Sequence, residues 1–190
     1  MKKCKIVAMI LALALSLSML AGCSSDGGKS SAGVEKSYWS ISSYVDTSNG
    51  AEMNVVEAYE LNISGSNYQL TRTQQTTMDV WIDITYYGSL FGTCTVAESG
   101  DQLVYTLKAP TRGIYANGQI EAVTTSITPI WMDSDDQATW PETLDGETAP
   151  TKDAVLAQAF GTGVGLGETV GDITVTVSKD GGQILSVEAA

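Results

Sequence analysis

Beyond Gly33 the chain alternates apolar and polar residues with a period of two, punctuated by Gly, Asn and Asp. Successive side chains of a strand point to opposite faces, so such a chain commits one face of each segment to a core and the other to water. Trp39, Ile41 and Ser43 share one face of a first strand. Val56, Ala58 and Glu60 alternate with Tyr59, Leu61 and Ile63 in a second, and Gly65-Ser66-Asn67 turns the chain into Tyr68 to Thr71. Met78, Val80, Ile82 and Ile84 occupy one face of a fourth, with Asp79, Trp81, Asp83 and Thr85 opposite. Gly88 and Gly92 suggest bends or bulges before Thr93 to Ala97. Ser99-Gly100-Asp101 leads into Leu103, Tyr105 and Leu107. Asn117-Gly118 reads as a hairpin turn between Arg112 to Ala116 and Gln119 to Ile127.

Residues 132–150 break the rhythm with an acidic, turn-rich stretch. Thr151 can cap a short helix over Lys152 to Phe160, where Val155 with Ala159 and Leu156 with Phe160 form an i, i+4 stripe. Gly161 stops it. A hairpin follows, from Ile173, Val175 and Val177 through Lys179 to Gly182 into Ile184 to Val187. The pattern predicts a mainly β fold of eight to ten strands with one short helix near 152–160. An antiparallel closed barrel or sandwich suits it, because closure removes exposed edges.

The start of this domain resembles the lipocalin-like domains of bacterial lipoproteins, which open with a tryptophan on the first strand and continue as an antiparallel meander. Trp39 in SYWSISSY takes that place. Leu61 to Thr71 and Cys94 to Lys108 resemble hairpins of the same kind. The resemblance implies a barrel; it carries over no ligand and no site residue.

The first residues have a different character. Lys2, Lys3 and Lys5 precede an apolar run from Ile6 to Leu20, broken only by Ser16 and Ser18. This is the order of a secretory signal peptide, and the run is shorter than the roughly 20 residues a spanning helix needs. Leu20-Ala21-Gly22-Cys23 resembles the lipobox of bacterial lipoproteins. The resemblance implies removal of residues 1–22 and a diacylglycerol on Cys23. It places the protein at the bacterial cell membrane with its domain facing outside the cytoplasm. Two acyl chains hold where one holds only marginally, since each buried CH₂ contributes about 0.8 kcal/mol. Residues 23–33 then form a Gly/Ser-rich flexible tether spanning roughly 20 Å. Residues 34–190 remain as a single β-rich domain, long enough to bury a core.

Three of the ten bases lie in that leader and all 22 acids lie beyond Cys23, so the remainder carries a net charge of −15. Such a surface repels nucleic acid and anionic headgroups. With Cys23 acylated, Cys94 has no disulfide partner, and its setting in FGTCTV predicts a buried structural thiol. The chain has no histidine, so Ser-His and Cys-His pairs and imidazole metal ligands are excluded.

Three clusters remain as candidates. Asp79 and Asp83 flank Trp81, but four strand residues separate two carboxylates by about 13 Å, too far for a hydrolase pair. Six acids crowd into residues 133–147, and Asp133, Asp135 and Asp136 are the candidate ligands for Ca²⁺, although the spacing lacks EF-hand order and a solvated acidic loop is the simpler reading. Trp131 and Trp140 flank that loop and, with Trp81, are candidate ligand-stacking residues. Glycines at 161, 163, 165 and 167 follow a helix rather than a strand and are structural rather than a phosphate loop.

The expected function is a lipid-anchored extracytoplasmic binding module without catalysis and without a resident cofactor. Its ligand would be a small or carbohydrate-like molecule inside the barrel or at its mouth. The alternative is a protein-interaction or structural surface lipoprotein with a solid core; a carboxylate-dependent hydrolase stands third. An open, aromatic-lined interior favours the first, and an interior filled by Leu, Ile and Val the second.

Overall fold

A computed structural model of the chain describes residues 35–48, 50–78, 82–121, 130–144, 147–148, 151–160 and 170–189. All belong to the unit Val34–Ala190. Cys23, Asp79, Trp81 and the glycines of 161–167 lie outside them.

The period-two segments fold as an antiparallel meander. β1 (Lys36–Asp46), β2 (Met53–Ser64), β3 (Asn67–Met78) and β4 (Ile82–Ser99) pair in chain order. Tyr38 stands opposite Leu61, Leu61 opposite Leu70, and Leu70 opposite Leu90. That register places one buried row along the inner face. Gly65 and Gly100 sit in the hairpin turns with φ near +60°, which a side chain would strain.

β4 is long enough to serve two neighbours along one edge. Cys94 to Ser99 pair with β5 (Gln102–Leu107), and Ile82 to Phe91 pair with β6 (Arg112–Glu121). Between them the chain stays against β4, Lys108 N–H donating to Thr93 O and Thr111 N–H to Phe91 O. From this fork the sheet runs two ways. β6 continues into β7 (Ile130–Asp133). β5 continues into β10 (Ile173–Ser178) and β11 (Ile184–Ala189). The result is a nine-stranded antiparallel sheet nearly closed into a barrel, as β11 returns to β1 and Trp39 N–H donates to Gly182 O. A 3-10 turn (Gln137–Thr139) and the short pair β8 (Thr143–Leu144) and β9 (Glu147–Thr148) complete the acidic stretch.

The helix α1 (Lys152–Phe160) forms where the sequence predicts it, with Thr151 Oγ1 accepting from Ala154 N–H at its start. Its buried face is Val155, Leu156, Ala159 and Phe160. It rests on β6 and β4, and glycines make the seat. A Cβ on Gly88 would overlap the Ala159 carbonyl oxygen, and one on Gly113 would lie 2.9 Å from Ala159 Cβ. Gly92 makes room in the same way for the Tyr68 ring.

The barrel interior is occupied by side chains. Leu61, Ile63, Leu70, Leu90, Leu103, Leu107, Ile173, Val175, Val177 and Ile184 join Leu156 and Phe160 of α1 in one cluster. Tyr38 of β1 reaches Tyr105 of β5 across it, hydroxyl to hydroxyl at 3.0 Å. Cys94 is buried there, and desolvation holds its thiol above the usual range, as expected of a structural cysteine.

Three readings of the sequence are corrected. Residues 78–85 are not one strand: Met78 and Ile82 face each other across the β3–β4 hairpin. Asn117-Gly118 is not a turn, because β6 runs through both residues, held by its ladder to β4. Gly88 and Gly92, read as bends or bulges, serve close packing within a continuous β4 whose register with β3 runs through both without a shift.

Candidate functional site

The barrel closes imperfectly, and the gap is the candidate site. β1 and β11 are bridged at Trp39 and Gln183 and then part around a cleft of about 510 Å³. Ser40, Ile41 and Ser42 form one wall and Ile184–Ala189 the other, with Tyr59 beneath. The Tyr59 hydroxyl donates to Glu57 Oε1, and burial holds it protonated well above its ordinary range.

Backbone geometry fixes what the β1 wall presents. Trp39 N–H points at β11, and strand residues two apart point the same way, so Ile41, Ser43 and Val45 turn N–H and C=O into the seam. Among the described residues no ladder runs along this edge beyond Trp39. Apolar exposure concentrates here. Trp39, Tyr44 and Val45 on β1 are 56%, 47% and 55% exposed, and Leu185 on β11 is 47% exposed. They are four of the six large apolar side chains exposed among the described residues; the others are Val96 and Trp131. The groups on offer are backbone amides and carbonyls, hydroxyls, apolar side chains and the Glu188 carboxylate.

Behind the cleft lies a buried ionic network. Arg72 of β3 points inward and donates from Nε to Glu57 Oε1 at 2.6 Å. Its Nη1 donates to Phe160 O at 3.0 Å and its Nη2 to Gln74 Oε1 at 2.8 Å. The guanidinium lies 5.3 Å from the centre of the Tyr86 ring, and the Tyr86 hydroxyl donates to Gln158 O. Burial alone would lower the Arg72 pKa, but Tyr59 and Glu57 outweigh it and hold the guanidinium charged, above its ordinary value. Cation and hydroxyl together cap the carbonyl end of α1, where the helix dipole favours positive charge.

Of the acidic loop, Asp133, Asp135 and Asp136 are each met by other groups of the chain. The Arg112 guanidinium donates to both carboxylate oxygens of Asp133, at 2.6 Å from Nη2 to Oδ2. Asp133 Oδ1 also accepts from Asp135 N–H. Burial pushes the Asp133 carboxyl up, but Arg112 and the Asp135 N–H hold it below its ordinary value. Lys152 pairs with Asp135 at 2.6 Å. Asp136 caps the 3-10 turn by accepting from Ala138 N–H. Trp140 is half-buried and donates its indole N–H to Asp133 O at 2.7 Å. Trp131 stands exposed on β7. Thus the structure brings Asp133, Asp135, Asp136 and Trp140 together as a folded loop, and recruits for it the two bases that bracket it in sequence. None of them, nor Trp131, lines the cleft.

The cleft itself was not read from the sequence. Its one local signal is the apolar pair Tyr44-Val45 late in β1; the odd number of strands in the ring is visible only in the fold. Arg72 carried a signal too, sharing the inward phase of Tyr68 and Leu70.

No protein-family model, no curated protein and no solved structure matches the chain.

Proposed function

We propose that this protein is a lipid-anchored extracytoplasmic lipoprotein that acts, without catalysis, by holding another protein. The observation that carries this is the filled interior. Packed Leu, Ile and Val, the inner face of α1 and the Tyr38–Tyr105 bond fill the barrel interior, where a ligand enclosed by the strands would have to sit. Recognition then belongs to the surface, where apolar side chains gather on β1 and β11. The lipid anchor follows from the resemblance of Leu20 to Cys23 to a lipobox. No helix among the described residues is long and apolar enough to cross a membrane.

A melting-temperature screen of the full chain in detergent against lipids, sugars, metabolites and metal ions should show no shift. A reproducible shift with any one of them would return the protein to the small-molecule class. Cys23→Ala should abolish acyl labelling; labelling that persists would remove the anchor from the proposal.

A further inference from the structure

We infer that the seam between β1 and β11 receives an extended basic strand of a partner protein, which runs antiparallel to both edges and completes an eight-stranded ring. This rests on the interaction reading above and names the form of the partner.

The argument begins with parity. β1, β2, β3, β4, β5, β10 and β11 follow one another through six antiparallel ladders. Seven strands that alternate in direction leave the first and last pointing the same way, and the Trp39–Gln183 bridge is indeed parallel. A strand placed between them in the opposite sense is antiparallel to both neighbours. It would extend the pairing used everywhere else in the ring and remove both edges.

Backbone demand comes next. Ile41 lines the cleft, Ser43 and Val45 follow it in the same phase along the β1 edge of the seam, and β11 forms the facing wall for six residues from Ile184 to Ala189. Six residues of strand span roughly 20 Å. An extended polypeptide supplies such a row of groups at the right spacing, as in other cases of strand addition.

Side chains define the occupant further. The cleft is floored by Tyr59 and lined by Ile184 and Val187, which suits apolar, β-branched residues at every second position. Outward positions meet Glu188 and a domain of strong negative charge. Lys or Arg at the alternate positions complements both. The exposed Trp39, Tyr44, Val45 and Leu185 supply apolar surface for the rim to cover.

The test selects twelve-residue peptides from a random phage-displayed library on the full chain in detergent. Enriched peptides should alternate apolar with basic or hydroxylated residues. A synthetic peptide of the strongest sequence should slow hydrogen exchange at Ile41, Ser43 and Val45 at least tenfold. Ser43→Pro removes a seam-facing N–H without touching the β1–β2 ladder and should weaken binding at least tenfold, whereas Ser43→Ala should change it less than twofold. N-methylation of the peptide at the amides facing β1 leaves the protein untouched and must cause the same loss, which covers a Ser43→Pro variant that fails to fold. Absence of any enriched peptide overturns the inference. Peptides that bind but ignore both proline and methylation overturn strand addition and leave the interaction reading standing. A doubled mass in light scattering that Ser43→Pro abolishes would assign the seam to a second copy of the chain and overturn it as well. A small-molecule melting shift would instead strike at the underlying reading.

Discussion

Arg72 occupies an inward position of β3, in phase with Tyr68 and Leu70, yet it carries a full charge. It is tolerated because every side of the guanidinium is met: Glu57 by charge, Gln74 and Phe160 O by hydrogen bonds, Tyr86 by its ring face. Removing one partner of a buried pair leaves the other uncompensated, at about 3–5 kcal/mol. Arg72→Met should therefore lower unfolding free energy by about that amount in urea titrations. Adding Glu57→Gln should recover part of the loss, because it removes the stranded carboxylate. A double variant worse than the sum of both changes would mean that the pair is not the source. Gly88 makes a complementary case. An added methyl must displace the Ala159 carbonyl, so Gly88→Ala should cost about 1–3 kcal/mol. A variant with unchanged stability would show that α1 does not rest on Gly88.

At the scale of elements, what the sequence disclosed depended on how local the deciding force was. α1 was legible to its boundaries, since a cap, an i, i+4 stripe and a following glycine all lie within a dozen residues. The last hairpin was legible for the same reason. Asn117-Gly118 misled because its turn preference is weaker than the continuous ladder that β4 offers, and that ladder depends on residues 82–91, distant in sequence. The acidic loop was recognised as a unit, but its logic was not. The two bases that organise it, Arg112 and Lys152, stand 21 and 17 residues from the carboxylates they meet. That logic gives a pH prediction. The folded Asp133 carboxyl titrates below its ordinary value of about 3.9. Its contribution is therefore complete above about pH 4 and is lost as pH falls through the lower folded value. Unfolding free energies of the parent and Asp133→Asn should differ by about 2 kcal/mol near neutrality, the value of hydrogen bonds to a charged group. The two curves should converge as pH falls through the lowered folded value of the carboxyl. A gap that stays constant through that fall would place the loss in packing rather than in the carboxylate.

For the molecule as a whole, the alternation of the sequence specified an antiparallel β fold, a closed barrel or a sandwich, but neither which of the two nor how a ring would close. Closure depends on the total strand count and on the fork at β4, where one strand feeds two branches; neither is a local property. The consequence is a fold of uneven protection. β2, β3 and β4 each have ladders on both sides over most of their length, while the described β1 has a full ladder on one side and a single bridge on the other. Amide exchange follows hydrogen bonding and burial, so protection should alternate along β1. The N–H groups of Ser40, Ser42 and Tyr44 face β2 and should exchange only through opening of the sheet. Those of Ile41, Ser43 and Val45 face the seam and should exchange faster by two orders of magnitude or more, since about 1.4 kcal/mol of protection corresponds to tenfold in the opening equilibrium. Trp39, whose N–H reaches Gly182, should behave like the first group despite its odd position. Residue-resolved exchange of the full chain decides the matter. Uniform protection along β1 would mean that the seam is already paired in the isolated protein, whereas alternation ending at Trp39 identifies the edge on which a further strand can add.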